Sequence, residues 1–203
     1  MNTEGLAKRV RDPKDDVGED PYSSNDKVPK VSRKQGMRGI RSLLIAVVLP
    51  FAAGSIVALR NSPDEWYNSL KKPFWNPPNW LFGLVWSLLY PVMGLASWLV
   101  WAKGGRQRSM CPLTLYVLQL GLNLLWSPLF FGWHSPLLAF VDVSALAAVL
   151  LMCIFAFKAL NPVASHLMKP YLAWVLLAAA LNLSILVKNM GSQETAVTEF
   201  EQQ

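Results

Sequence analysis

The sequence predicts an all-α integral membrane protein, a bundle of five transmembrane helices. Three observations predict it. The chain is 53% hydrophobic with a mean hydropathy of +0.28, and only 16% of its residues are charged, against about a quarter in soluble domains. The acids are segregated, because between Ser42 and Val187 only Asp64, Glu65 and Asp142 are acidic. Five apolar runs of roughly the 20 residues that a helix needs to cross hydrocarbon follow one another. A soluble fold could not keep such a surface wet, and a bilayer removes that requirement.

The net charge of +6 does not point to nucleic acid. The basic residues cluster at the N-terminus and between apolar runs, as membrane topology requires, and the aromatic residues sit inside the runs. Cys111 and Cys153 are expected as two free thiols. With two histidines and no CxxC pair, no metal site is expected.

Residues 1–41 carry ten Lys/Arg, seven Asp/Glu and three prolines without apolar periodicity, which predicts a disordered polar arm. It has neither the apolar core of a secretory signal nor the acid-poor composition of a transit peptide. Its basic end, from Lys27 to Arg41, would lie against anionic lipid. The membrane domain spans 42–190, with helices expected at about 42–60, 80–102, 111–132, 137–160 and 170–188, and a C-terminal tail at 191–203. Pro50 and Pro128 fall inside helices, which membranes tolerate. Basic residues divide unequally between the two ends: eleven, from Lys27 to Lys169, share the arm's side, and Arg60, Lys71, Lys72 and Lys188 share the other. The positive-inside rule then puts the N-terminus in the cytosol.

The connection at 61–79 is the long one, rich in Trp, Pro and Asn. Pro73, Pro77 and Pro78 exclude a helix there, so the segment from Trp66 to Trp80 is expected without one. Its tryptophans fit an interfacial aromatic belt or a stiff lid over a site. Within the runs, Gln119, Asn123 and Trp126 share one helix face, Trp86, Tyr90 and Trp101 another, and Trp174, Ala178 and Leu181 a third with Asn182 beside it. Such amides either glue helices together or serve an indole-walled cavity whose donors are the Trp86 N–H and the Asn123 amide. Asp142, the one acid in a spanning run, is a functional candidate or pairs with a neighbouring donor. No hydrolase triad, phosphate loop or zinc spacing is present.

Trp66-Tyr67-x-x-Leu70-x-Lys72-Pro73-x-Trp75-x-Pro77-Pro78, then Trp86, Leu89-Tyr90, Met93-Gly94 and Trp98 to Trp101, resembles the translocator protein (TspO/MBR) family. Its members are also called tryptophan-rich sensory proteins or peripheral-type benzodiazepine receptors. Gln119-Leu120-x-Leu122-Asn123, Trp126, Phe130-Phe131-Gly132, Asp142, Pro162 and Pro170-Tyr171-Leu172-Ala173-Trp174 through Leu181-Asn182 continue the match, over about residues 42–190. The arm lies outside it and is similar to the extensions of plant members.

The resemblance implies a five-helix bundle, often a homodimer, with a pocket closed by the loop after the first helix. It implies a receptor or sensor for tetrapyrroles such as porphyrin and haem, bound as ligands and not as required cofactors, with sterols and benzodiazepine-type molecules as further ligands and a role in stress response. By motif position the ligand-binding residues are Trp75, Trp80, Trp86, Tyr90, Asn123, Trp126, Trp174, Ala178, Leu181 and Asn182. Trp86 and Trp174 match an indole pair tied to light-dependent porphyrin breakdown in bacterial members, which makes them the candidate catalytic residues if the protein is an enzyme. A transporter is the third reading, weakened by the lone Asp142 and the lack of an internal repeat. Localisation follows the resemblance to ER/Golgi endomembranes or the mitochondrial outer membrane. Three departures stand out. The Tyr of the animal sterol motif is missing from Leu181 to Lys188, an early Trp of the fourth helix is Leu138, and a histidine linked to haem in a plant member falls at Gly83.

Overall fold

The structure, a computed structural model, describes the backbone of residues 33–201 and the side chains of 39–190 apart from that of Arg106. Most of the expected arm and the last two residues lie outside the described residues. Helix α1 runs Arg33–Arg60, α2 Glu65–Ser69, α3 Asn79–Ser127, α4 Pro136–Leu160 and α5 Pro162–Glu201, with a π turn at Pro128–Gly132 after α3. Five stretches are long and apolar enough to cross a membrane: Gly39–Arg60, Asn79–Gly105, Gln107–Gly132, Pro136–Leu160 and Pro162–Met190. They are called the first to fifth spans below. Among the described residues there is no strand.

Several boundaries differ from expectation, each for a local reason. Helix α1 begins at Arg33, inside the expected arm, because Arg, Lys, Gln and Met are good helix formers. The fifth span begins at Pro162 and not at Pro170. Asn161 caps it, its Oδ1 accepting from the amides of Val163 at 3.0 Å and Ala164 at 3.4 Å, and Pro162 takes the first turn, where its missing N–H costs nothing. Pro170 then lies inside the helix. The expected tail at 191–203 continues as helix to Glu201. The second and third spans meet at one residue, Gly105, with φ 62° and ψ −174°, a backbone conformation that glycine adopts freely. The chain reverses there, so that Ser109 Oγ donates to Val100 O at 3.0 Å and Tyr90 Oη to Asn123 Oδ1 at 2.8 Å. Pro128 opens the π turn, in which the Trp133 amide donates to Pro128 O at 2.8 Å.

The antiparallel order places both long-loop ends, the 133–135 turn and Asn189 at one end of the bundle, the lid end. Lys103, Lys158 and Lys169 lie at the other. At that far end the bundle is solid: Met93, Ala96, Val100, Cys153, Phe157, Ala164 and Met168 are fully buried. Cys153 is a buried free thiol and Cys111 an exposed one. Helix α4 packs on α3 and α5, whereas the one extensive neighbour of α1 is α3. The approach of α1 is close because Gly94 offers no side chain. A Cβ there would stand 2.2 Å from Ala46 O and 2.8 Å from Val47 Cα.

Candidate ligand cavity under the lid

The half of the bundle beneath the lid is hollow. All five spans contribute to a cavity of about 540 Å³, inside the range of sites for drug-sized ligands. The first span supplies Phe51, Gly54 and Ala58, the second Phe82, Trp86 and Tyr90, and the third Asn123, Trp126 and, in its π turn, Phe130. Val143 and Leu146 come from the fourth span, and Trp174, Ala178, Leu181 and Asn182 from the fifth. Among the described residues no charged side chain lines it.

Helical spacing explains why these side chains converge. Asn123 and Trp126 lie one turn apart, and Trp174, Ala178, Leu181 and Ile185 recur at three and four residues along α5. Ring contacts hold the walls. Trp86 lies 5.2 Å from Tyr90 and 5.9 Å, edge on, from Tyr171, while Phe82 meets Trp174 edge on at 5.4 Å. Trp126 stacks on Phe130 at 5.0 Å.

Polar groups are few and mostly committed. Tyr90 donates to the Asn123 carbonyl, which leaves the Asn123 NH₂ as a donor. Trp86 Nε1 makes no hydrogen bond among the described residues and is not enclosed, whereas the indole nitrogens of Trp126 and Trp174 are enclosed without a partner. Asn182 Nδ2 donates to Pro136 O at 3.2 Å and so ties α5 to α4. Gln119 is wholly buried behind the cavity and accepts from Tyr171 Oη at 2.9 Å, so it serves as helix glue. Asp142 is 6% exposed, and neither carboxylate oxygen has a hydrogen-bond partner among the described residues.

The lid is more ordered than prolines alone suggest, and its expected lack of helix is corrected. The prolines begin only at Pro73, so Glu65–Ser69 is free to form α2. Asp64 caps that helix, its Oδ1 accepting from the Tyr67 amide at 3.0 Å. Tyr67 is 5% exposed and forms the cavity ceiling, packed edge on against Phe130 and Phe131 with Lys72 Nζ 4.1 Å from its ring centroid. Burial pushes its phenol above the usual range.

Two latches fasten the lid. Asn189 on α5 accepts from Lys71 N and donates to Lys71 O, both at 3.1 Å. His134 Nε2 lies 2.9 Å from Asp64 Oδ2, and its ring stacks on Trp66 at 4.4 Å. These two contacts hold His134 at φ 51°, a left-handed conformation that non-glycine residues adopt only when held there. The Tyr67 amide first, and then His134, hold the Asp64 carboxyl below its ordinary value of 3.8. A depressed folded pKa means that the latch is intact above the ordinary carboxylate range and is lost as pH falls through the folded value. The Tyr67 amide resonance should therefore titrate with a midpoint below 3.8. A midpoint at or above that value would remove Asp64 as the cap.

Of the ten ligand-binding residues expected from the sequence, Trp86, Tyr90, Asn123, Trp126, Trp174, Ala178, Leu181 and Asn182 line the cavity. Trp75 and Trp80 lie outside its lining. Trp75 is 36% exposed beside a proline turn and Trp80 is 68% exposed on the first turn of α3, where both fit an interfacial belt. Trp101, on the expected stripe of Trp86 and Tyr90, is also exposed and outside the cavity. Sequence reasoning missed Tyr67, Phe82 and Phe130. The capping pattern of Asp64 followed by Glu65-Trp66-Tyr67 could have revealed the short helix that carries Tyr67.

The TspO/MBR family matches residues 46–188 of the chain. A tryptophan-rich protein TspO from Archaeoglobus fulgidus is 41% identical over 151 residues, covering 74% of this chain and 95% of the relative. The translocator protein homolog of Arabidopsis thaliana is 34% identical over 81% of this chain and 86% of its own length. The human translocator protein is 39% identical over 63% of this chain and 76% of its own.

Proposed function

This chain belongs to the TspO/MBR family, and from that membership we propose that it is a membrane receptor for a flat, apolar, tetrapyrrole-type ligand held in the cavity under the lid. The observation that carries the reading is the wall itself. Indole and phenyl rings from the second, third and fifth spans surround an uncharged space, and among the few polar groups on its wall are the Trp86 N–H and the Asn123 NH₂. Both are donors, so the ligand is apolar over most of its surface with at least one acceptor facing the second and third spans. Homodimer formation, sterol binding and a part in stress-linked tetrapyrrole scavenging belong to the same proposal and rest on the family resemblance.

The wall also discriminates between tetrapyrroles. Among the described residues no His, Cys or Met lines the cavity, and no cluster of metal-ligating side chains occurs. Iron in a bound haem would find only phenols, and the Tyr90 hydroxyl is already donated to Asn123. The reading therefore favours the metal-free ring. In lipid nanodiscs, protoporphyrin IX should quench tryptophan fluorescence saturably. Haemin should bind no more tightly and show no spectrum of nitrogen or sulfur ligation. Absence of saturable protoporphyrin quenching would sink the receptor reading.

A further inference from the structure

We propose that the cavity opens sideways into the bilayer between the first and second spans, and that hydrocarbon-dissolved molecules, including lipid acyl chains, enter by this opening while the lid stays shut. The inference rests on the cavity assigned above, but not on the identity of its tetrapyrrole ligand.

The first and second spans meet closely away from the lid. They are in contact there at Tyr90 with Gly54, Gly94 with Ala46, and Trp98 with Ser42, the last through a hydrogen bond of 3.1 Å. Toward the lid, Ala58 on the first span and Gly83 and Ser87 on the second line the cavity and are at the same time exposed. A Cβ built on Gly83 would meet nothing within 4 Å. The first span is also the least embedded, with 11% of its most apolar stretch buried against 28–39% in the others.

Depth decides what such an opening faces. Trp80, exposed on the first turn of α3, marks the interface. At 1.5 Å per residue, Gly83 and Ser87 lie about 4 and 10 Å beyond it along the helix axis, which puts the opening toward the acyl chains of a core about 30 Å thick. Its chemistry agrees. The two hydroxyls at the mouth are turned back onto their own helices, Ser55 Oγ to Phe51 O at 2.9 Å and Ser87 Oγ to Leu84 O at 2.7 Å. The route through the lid is, by contrast, plugged by Tyr67 and fastened at Asn189 and His134.

Carbene labelling tests this without any assumed ligand. Full-length protein in nanodiscs containing a phosphatidylcholine with a diazirine in its acyl chain is illuminated, and adducts are mapped by mass spectrometry. Adducts are expected on Trp174 and Ala178, which lie across the cavity on the fifth span. They should be lost in Gly83→Trp and in Ala58→Trp, which block the mouth from its two sides, and be retained in Asn189→Ala, which removes one of the lid's two latches. The absence of these adducts in the unaltered protein, or their survival in both blocked variants, overturns the proposal. Adducts in a protein that fails to bind protoporphyrin would leave the opening standing and remove only the tetrapyrrole reading.

Discussion

Replacing Gly94 by alanine should destabilise the protein by about 1–3 kcal/mol, the usual cost of forcing an extra group into a packed site. The added Cβ would stand 2.2 Å from the Ala46 carbonyl oxygen and 2.8 Å from Val47 Cα. Both atoms are backbone in the middle of a helix, so no rotamer change relieves the clash, and α1 must shift as a body. It has little to hold it elsewhere, since its one extensive neighbour is α3. The loss should appear as a lower unfolding midpoint in detergent and as faster proteolysis or exchange confined to α1. Gly54→Ala makes a useful contrast. There the clash is with the Tyr90 ring, and the ring can retreat only by giving up its hydrogen bond to Asn123. The Gly54 variant should therefore lose affinity for a cavity ligand, whereas the Gly94 variant should lose chiefly stability. Equal stability of Gly94→Ala and the unaltered protein would mean that α1 is not seated as described.

The membrane fold was legible in the sequence because length and hydropathy alone decide it. A charge-free run of about 20 residues has few alternatives to a spanning helix. Boundaries were less legible where proline has two meanings. Pro170 reads as a helix start, but it lies inside α5, and the real start is the Asn161-Pro162 cap. In the lid the prolines govern less of the chain than their number suggests. Their effect covers the residues they directly constrain, and it left Glu65–Ser69 to follow its Asp64 cap. The cavity residues that could be read were those on helix faces, such as Asn123 with Trp126 and Trp174 with Ala178, since a spacing of three or four residues fixes a shared side. Phe82 and Phe130 depend on how α3 meets α5 and on the π turn that Pro128 opens, and no periodicity reports these. The exposure of Trp75 and Trp80 likewise turns on which way the lid folds. The sideways opening is a gap between two helices whose faces are each ordinary in sequence.

Removing both cavity indoles, with Trp86→Ala and Trp174→Ala combined, should weaken protoporphyrin binding by roughly ten- to a hundredfold. An aromatic pair contributes about 0.5–1.5 kcal/mol beyond its buried area, two such faces are lost together, and 1.4 kcal/mol is a factor of ten. The double truncation also enlarges the cavity and strips Tyr90, Tyr171 and Phe82 of ring neighbours, so part of any loss could come from altered walls. Single changes to phenylalanine separate the two causes. Trp86→Phe keeps a ring and removes an N–H that no protein group accepts from. A ligand that uses that donor should bind about 0.5–1.5 kcal/mol more weakly, the net worth of one hydrogen bond. Trp174→Phe removes an N–H that is enclosed and unpartnered. The ligand cannot reach that nitrogen, and a buried orphan donor is a cost to the fold, so affinity should hold and stability should stay level or rise. Titration of tryptophan quenching, read beside unfolding midpoints, gives both quantities for each variant. Equal loss of affinity in the two phenylalanine variants would show that the indoles act only as apolar surface, and the orientation of the ligand toward Trp86 and Asn123 would then have to be abandoned.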